Sequence, residues 1–430
     1  MGTLLARCAL GTFVAWLNGI AGATGINGRA INVPNATQRK RRNECPGEGS
    51  YMDFAFSDEQ DEFRGVVRRF LEERWSIAEV RKLAETPAGF DRGTWKQMAE
   101  ELGLHGLALP EAYGGQGFSF IELGIALEEM GRQLAGGPFL ASAVVAAHAI
   151  QHAATDDQRA ELLPGLASGE TIATLALLEA SGRHDAAAIA TTCARRGDGW
   201  RIAGRKIAVL DAQSADLLVV AAREAGSLGE AGVSLFVVRA DARGVAVKPT
   251  DGLDLARRFA EVELVDATAT LLGDAGAAWP ALARTLDLAA IAVAAESVGA
   301  TARCLEMAVD YAKSRIQFAR PIGSFQAIKH KTAEVMLELE SARSAAYWSW
   351  WVAAQPEVSA ANLAEAASVA KATCNDAFLR AAAENVHIHG GVGFTWEFDC
   401  HLYYRRAKTA EFLFGDPLWH RARLATQLGF

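Results

Sequence analysis

Arg315-Ile-Gln-Phe-Ala-Arg-Pro-Ile-Gly-Ser-Phe-Gln326 interrupts a long alanine-rich pattern. Leu282–Ala312 before it, and Gln326–Ala354 and Leu363–His387 after it, are long segments whose apolar residues recur at helical spacing. Arg320-Pro-Ile-Gly323, inside the interruption, carries a proline and a glycine that punctuate helices. Long amphipathic segments joined by short breaks predict a four-helix bundle over residues 276–430. Between about Ile172 and Gly273 the period shortens. Arg196-Gly-Asp-Gly199 reads as a hairpin turn ahead of WRIAGRKIAVL, and Leu217–Ala221 and Leu235–Val238 are compact apolar strands. That predicts a β domain over residues 171–275. Further upstream, Phe63, Val66, Val67, Phe70 and Leu71 fall on one helical face, and helical signal returns at Ile121–Gln133 and from Leu140 onward. Between them, Leu109-Pro-Glu-Ala-Tyr-Gly-Gly-Gln-Gly117 is a loop whose glycines suit turns with positive φ. An N-terminal helical domain over residues 52–170 follows, opened by Ser57 as N-cap with Gln60 at the capping-box position. The fold class is α+β in three parts: all-α, then a β-barrel or sandwich, then the bundle.

Residues 1–51 are a different polymer. They hold six basic residues and two acidic ones, which leaves the body at −12 although the whole chain of 430 residues is −8. Leu10–Leu17 behind Arg7 and the Ala21-Gly22-Ala23 triplet suggest a leader. Asn18, Gly19 and the basic run Arg39–Arg42 break that pattern, so the segment reads as a disordered extension or an early start ahead of Met52. A body this acidic excludes a protein that neutralises many phosphates of nucleic acid. No uninterrupted apolar run reaches the ~18 residues that a membrane span needs. Six scattered cysteines without CxxC point to a reducing compartment and a cytoplasmic location. His387, His389 and His401 lack the carboxylate cluster and spacing of a metal site.

The 315–326 stretch, followed by His387-Ile-His-Gly-Gly-Val-Gly-Phe394, resembles the C-terminal half of the acyl-CoA dehydrogenase family. Pro110-Glu-Ala-Tyr-Gly-Gly115 and Gly204-Arg-Lys206 are similar to that family's N-terminal and middle domains, so the resemblance runs through Met52–Phe430 in order. It implies bound FAD, an acyl-CoA substrate, homo- or hetero-oligomers and electron-transfer flavoprotein as acceptor. In that chemistry a carboxylate in a dry pocket takes the α-proton of the thioester while the β-hydrogen leaves as hydride to the flavin. By position, the resemblance assigns Arg315 to the pyrophosphate or adenosine end of a neighbouring subunit's FAD. Phe318 and the region of Ile322 pack on that cofactor, and Gly390 and Gly391 let backbone approach it. His387 stands where the family usually has glutamine.

The catalytic positions depart from the pattern. The usual glutamate before a glycine is Phe414, the alternative base at the start of the first bundle helix is Ala289, and the arginine beside it is Ala290. Three acids remain as substitutes: Asp416, two positions beyond the usual base, then Glu411 and Glu296, of which Asp416 is preferred. In the middle domain the flavin and substrate loop reads Leu178-Glu-Ala-Ser-Gly-Arg-His-Asp185, and the flavin-flanking tryptophan and threonine are Ala208 and Leu210. Residues used on a subunit's own flavin are lost, whereas those reaching a neighbour's flavin are kept. The expectation is an acyl-CoA dehydrogenase subunit whose base comes from a partner. The alternatives are a non-catalytic, cofactor-completing homologue, or a nitroalkane oxidase or flavin monooxygenase-like relative using Asp416.

Overall fold

The computed structural model describes residues 56–197 and 199–430; the 1–51 extension and Met52 lie outside them. Helix α1 (Asp58–Arg74) starts as its sequence dictates. The Ser57 hydroxyl accepts from the Gln60 amide at 3.2 Å, and the Gln60 side chain accepts from the Ser57 amide at 3.0 Å. Its apolar face is narrower than the periodicity suggests: Val67, Phe70 and Leu71 are buried, but Val66 faces solvent. Helices α2 (Ile77–Ala84), α3 (Arg92–Glu100) and α4 (Phe120–Arg132) follow. The 109–117 loop folds back on itself, and a Cβ on Gly115 would lie 2.0 Å from the Leu109 carbonyl. Phe139–Ala146 is wound wider than an α-helix before α5 (Ala147–Ala153) and α6 (Asp156–Ala167) continue.

Seven strands form the middle layer: β1 (Ala173–Ala176), β2 (Thr192–Arg196), β3 (Gly199–Leu210), β4 (Leu217–Glu224), β5 (Val233–Arg239), β6 (Val245–Thr250) and β7 (Phe259–Leu272). The 196–199 turn is a hairpin, with Arg196 opposite Gly199. Pairing runs β4–β2–β3–β7–β5 and back to β4, which closes a barrel, with β1 beside β4 and β6 beside β7. Closure leaves no edge on the ring strands. Ile202, Val209, Val220, Phe236 and Val262 fill its interior.

The C-terminal part consists of α7 (Trp279–Ser314), α8 (Gln326–Ala353), α9 (Ala360–His389), α10 (Cys400–Phe412) and α11 (Pro417–Gln427). The 315–326 break forms a short hairpin, β8 (Ile316–Gln317) with β9 (Arg320–Pro321). By length and composition α7 is apolar enough to cross a membrane, yet 94% of its apolar window is buried inside the protein. It is the core helix, and α4 crosses it at backbone contact. A Cβ on Gly299 would sit 1.8 Å from the Glu128 carbonyl, and one on Gly131 would sit 2.0 Å from the Glu296 carbonyl. Among the described residues Cys193, Cys304, Cys374 and Cys400 are free and buried.

The three parts meet at Asp254-Leu-Ala-Arg-Arg258, between β6 and β7. Asp254 pairs with the buried Arg406 of α10, and Arg257 pairs with Glu296 of α7. Arg258 donates to the Ala84 and Thr86 carbonyls at 2.7 and 2.8 Å. Asp211, at the end of β3, is buried beside Arg257, Arg258 and Arg406, and burial pushes its carboxyl up to about 7. A buried pair is weakest when half of it is removed. Arg406→Met strands the Asp254 carboxylate and should lower stability by about 3–5 kcal/mol. Asp254→Leu combined with Arg406→Met should recover most of that loss in urea unfolding; equal losses in both variants would contradict the pairing.

Candidate active site and cofactor edge

The eroded motifs converge on one small, partly open cavity. Ala141 and Val145 of the wide-wound segment form one wall, and Leu175, Leu177 and Leu178 a second. Ile207, Ala208, Val209 and Leu210 of β3 face Leu413 and Phe414 of the α10–α11 linker. Two wall residues sit in the left-handed region, Ala208 at φ 48° and Phe414 at φ 57°, which is uncommon for residues other than glycine and marks an over-determined backbone. Ala208 lies in the irregular part of the β3–β7 ladder, between Lys206 and Val209.

The cavity has little polarity. Thr174 donates its hydroxyl to the Leu210 carbonyl at 2.6 Å, so it is already used. His184 lines the wall with a buried Nε2 that has no partner. Burial and the positive charge of Lys371 hold its pKa below the usual histidine value, so the ring is neutral at neutral pH. Behind the wall, Glu179 and Lys206 join the two middle-domain motifs. Lys206 Nζ donates to Glu179 Oε1 at 2.7 Å and to the Leu177 carbonyl at 3.1 Å, while Glu179 accepts from the Ala190 and Thr191 amides at 2.8 and 2.9 Å.

The acids proposed as substitute bases all have partners. Asp416 caps α11 by accepting from the Trp419 amide at 2.7 Å. Glu411 pairs with Lys408 at 2.5 Å, and Glu296 is the partner of Arg257. Ala289 and Ala290 are wholly enclosed in the core around α7.

The residues assigned to a neighbour's cofactor cluster elsewhere, at one end of the bundle. Ile322 and Ile388 pack with Ala308 and Ala312, which seats the β8–β9 hairpin against the end of α9. On that seat Arg315 is exposed and makes no side-chain hydrogen bond or ion pair among the described residues, and Phe318 is 87% exposed. Exposed His387 has its Nδ1 3.5 Å from Glu384. Gly390 (φ 67°) and Gly391 face open space: a Cβ on either would meet nothing within 4 Å. Sequence reading missed His184, Lys371 and His420. His184 lay inside a quoted loop, and the signal for Lys371 was a cation flanked by alanines, Ala370-Lys371-Ala372.

The acyl-CoA dehydrogenase N-terminal, middle and C-terminal domains match residues 57–170, 174–266 and 276–429. The chain belongs to the acyl-CoA dehydrogenase family. It is thus a member of a family of FAD-dependent oxidoreductases. It is 31% identical to acyl-CoA dehydrogenase IpdE2 of Mycolicibacterium smegmatis over 86% of this chain and 99% of that one. Among solved structures, a variant of the Tcur3481-Tcur3483 steroid ACAD matches with TM-score 0.77 and 33% identity, covering 86% of this chain and 98% of that one. The ChsE4-ChsE5 complex of Mycobacterium tuberculosis matches with TM-score 0.79 and 28% identity, covering 88% and 99%.

The Glu179–Lys206 pair gives a pH signature. Burial lowers Lys206 to about 8, against ~10.4 in an unfolded chain. Between those values the unfolded state binds more protons than the native state, so stability rises with pH there. Relative to Lys206→Met, wild type should gain stability from about pH 8 to 10; a flat difference would contradict the burial of a charged lysine.

Proposed function

We propose that this chain is a subunit of a heteromeric acyl-CoA dehydrogenase that completes a neighbouring subunit's FAD site and takes its base from that neighbour. One observation carries the reading. Phe414, at the position that the resemblance assigns to the family's base, stands beside Leu413 in an apolar cavity, while Arg315, Phe318, Gly390 and Gly391 form an unengaged, exposed edge. The named pairs among the similar structures, ChsE4-ChsE5 and Tcur3481-Tcur3483, support assembly with a second acyl-CoA dehydrogenase chain.

The chain's residues fit one part of FAD and not another. On the exposed edge, Arg315 supplies a cation for pyrophosphate or adenosine, and Phe318 and Ile322 supply apolar surface. His387 offers a ring nitrogen, and Gly390 and Gly391 allow close backbone approach. In the chain's own cavity, Leu178, Ala208 and Leu210 offer no side-chain donor to a flavin ring, and His184 is the free polar group. When bound, FAD supplies the acceptor for the β-hydride. Asp416 remains the chain's own candidate for the base. Electron-transfer flavoprotein as acceptor and a cytoplasmic location complete the proposal. The steroid ACAD among the neighbours puts steroid side-chain thioesters first in a substrate panel.

Two experiments test this on the complex formed by co-expression with a companion acyl-CoA dehydrogenase chain. Arg315→Ala removes a charge-assisted contact of about 1.5–3 kcal/mol and should weaken flavin retention roughly 10- to 100-fold. Flavin retention unchanged by Arg315→Ala and Phe318→Ala would remove the edge from the site. Asp416→Asn keeps an N-cap side chain and should leave turnover intact; loss of turnover in a folded complex would make Asp416 the base and overturn the partner's role.

A further inference from the structure

Lys371, His420 and Ser368 take no part in the reading above, yet they surround the linker that carries Phe414. Lys371 lies on α9 and is wholly buried. Helix α10 ends at Phe412, and the last carbonyls of a helix have no partner within it. Lys371 Nζ donates to two of them, Ala410 O at 2.9 Å and Glu411 O at 3.2 Å. His420, on α11, bonds the Phe414 carbonyl through Nε2 at 3.0 Å. Its Nδ1 faces the Ser368 hydroxyl at 3.2 Å, one turn of α9 from Lys371. A carbonyl can only accept, so Nε2 carries the proton and Nδ1 accepts from Ser368. Asp416 fixes the far end by capping α11. The linker is therefore tied at both ends, with Phe414 at φ 57° and Gly415 at φ 98°. Any Cβ on Gly415 would lie 2.6 Å from the Trp419 ring.

We propose that Lys371 and His420 are positioning residues that hold the α10–α11 linker so that side chain 414 is delivered into the cavity, whatever that side chain is. Phenylalanine has little need of the clamp, because burial of its ring already favours the apolar cavity. A polar side chain at 414 does need it, since it gains by turning to water. The clamp therefore predicts that this position still presents a carboxylate to the cavity when one is introduced, whether or not a partner completes the site.

The test compares full-length Phe414→Glu with Phe414→Gln by urea unfolding across pH. The comparison cancels the titrations common to both variants of the groups around the linker, namely Lys371, His184, Asp185, Asp376, Lys408, Glu411, Asp416, His420 and Arg423, and leaves the carboxylate with its coupling to them. A glutamate held among Val145, Leu177, Val209 and Leu413 should titrate at about pH 6 or above rather than ~4.3. The native state then binds more protons than the unfolded state in that window. The glutamate variant should lose stability relative to the glutamine variant as pH rises, by up to about tenfold in unfolding constant per pH unit. Adding Ser368→Ala, which loosens His420 without removing a charge, should shrink this gap. Lys371→Met also removes a cation that favours the carboxylate, so it shrinks the gap only where lost positioning outweighs lost charge, and a widened gap would mark Lys371 as a charge alone. A residue that only stabilised the fold would shift both variants equally and leave the gap unchanged. No pH-dependent gap in Phe414→Glu, or a gap that neither clamp variant narrows, overturns the proposal.

Discussion

The buried charges of Asp254-Leu-Ala-Arg-Arg258 constrain the rest of the molecule. This short segment between two barrel strands bonds to α7 through Glu296, to α10 through Arg406 and to the N-terminal helices through the Ala84 and Thr86 carbonyls. Charges removed from water are tolerated only when each has partners, so the three parts fit in one relative placement. That placement brings the wide-wound 139–146 segment, strand β3 and the α10–α11 linker to a common cavity. The glycine crossing of α4 and α7 reinforces it, because backbone against backbone leaves no slack for sliding.

Two regions of unlike character follow from this frame. The cavity is narrow, mostly apolar and gripped by buried polar groups behind its walls. The hairpin edge is exposed, has an unengaged arginine and an aromatic ring in solvent, and is floored by glycines with open space above them. A large apolar side chain standing free is unfavourable for an isolated chain and reasonable for a surface that meets a neighbour. The chain belongs to its family by fold throughout, and under the proposed function its site residues divide between an altered cavity and a retained edge.

Local features were legible in the sequence because local chemistry sets them. The Ser57–Gln60 capping box, the 196–199 hairpin and the limits of the long bundle helices each depend on residues within a few positions of one another. The wide winding of Phe139–Ala146 was not legible, because a run with Ser142 as its single polar residue has no polar face to reveal its period. Barrel closure and the Arg257–Glu296 pair join residues far apart in sequence. The status of Glu296 and Asp416, one paired and one capping, was open until packing placed their partners. Lys371 was hardest to read: a lysine in an alanine-rich helix normally faces water, and only the unpaired carbonyls at the end of α10 explain its burial.

The division between altered cavity and retained edge is tested most directly by titrating FAD into the chain purified alone and measuring bound flavin after separation from free cofactor. The account predicts no stable flavin binding and no acyl-CoA turnover, since the cavity lacks donors and the edge has no neighbour to complete. A full complement of tightly held flavin with turnover in the isolated chain would contradict it.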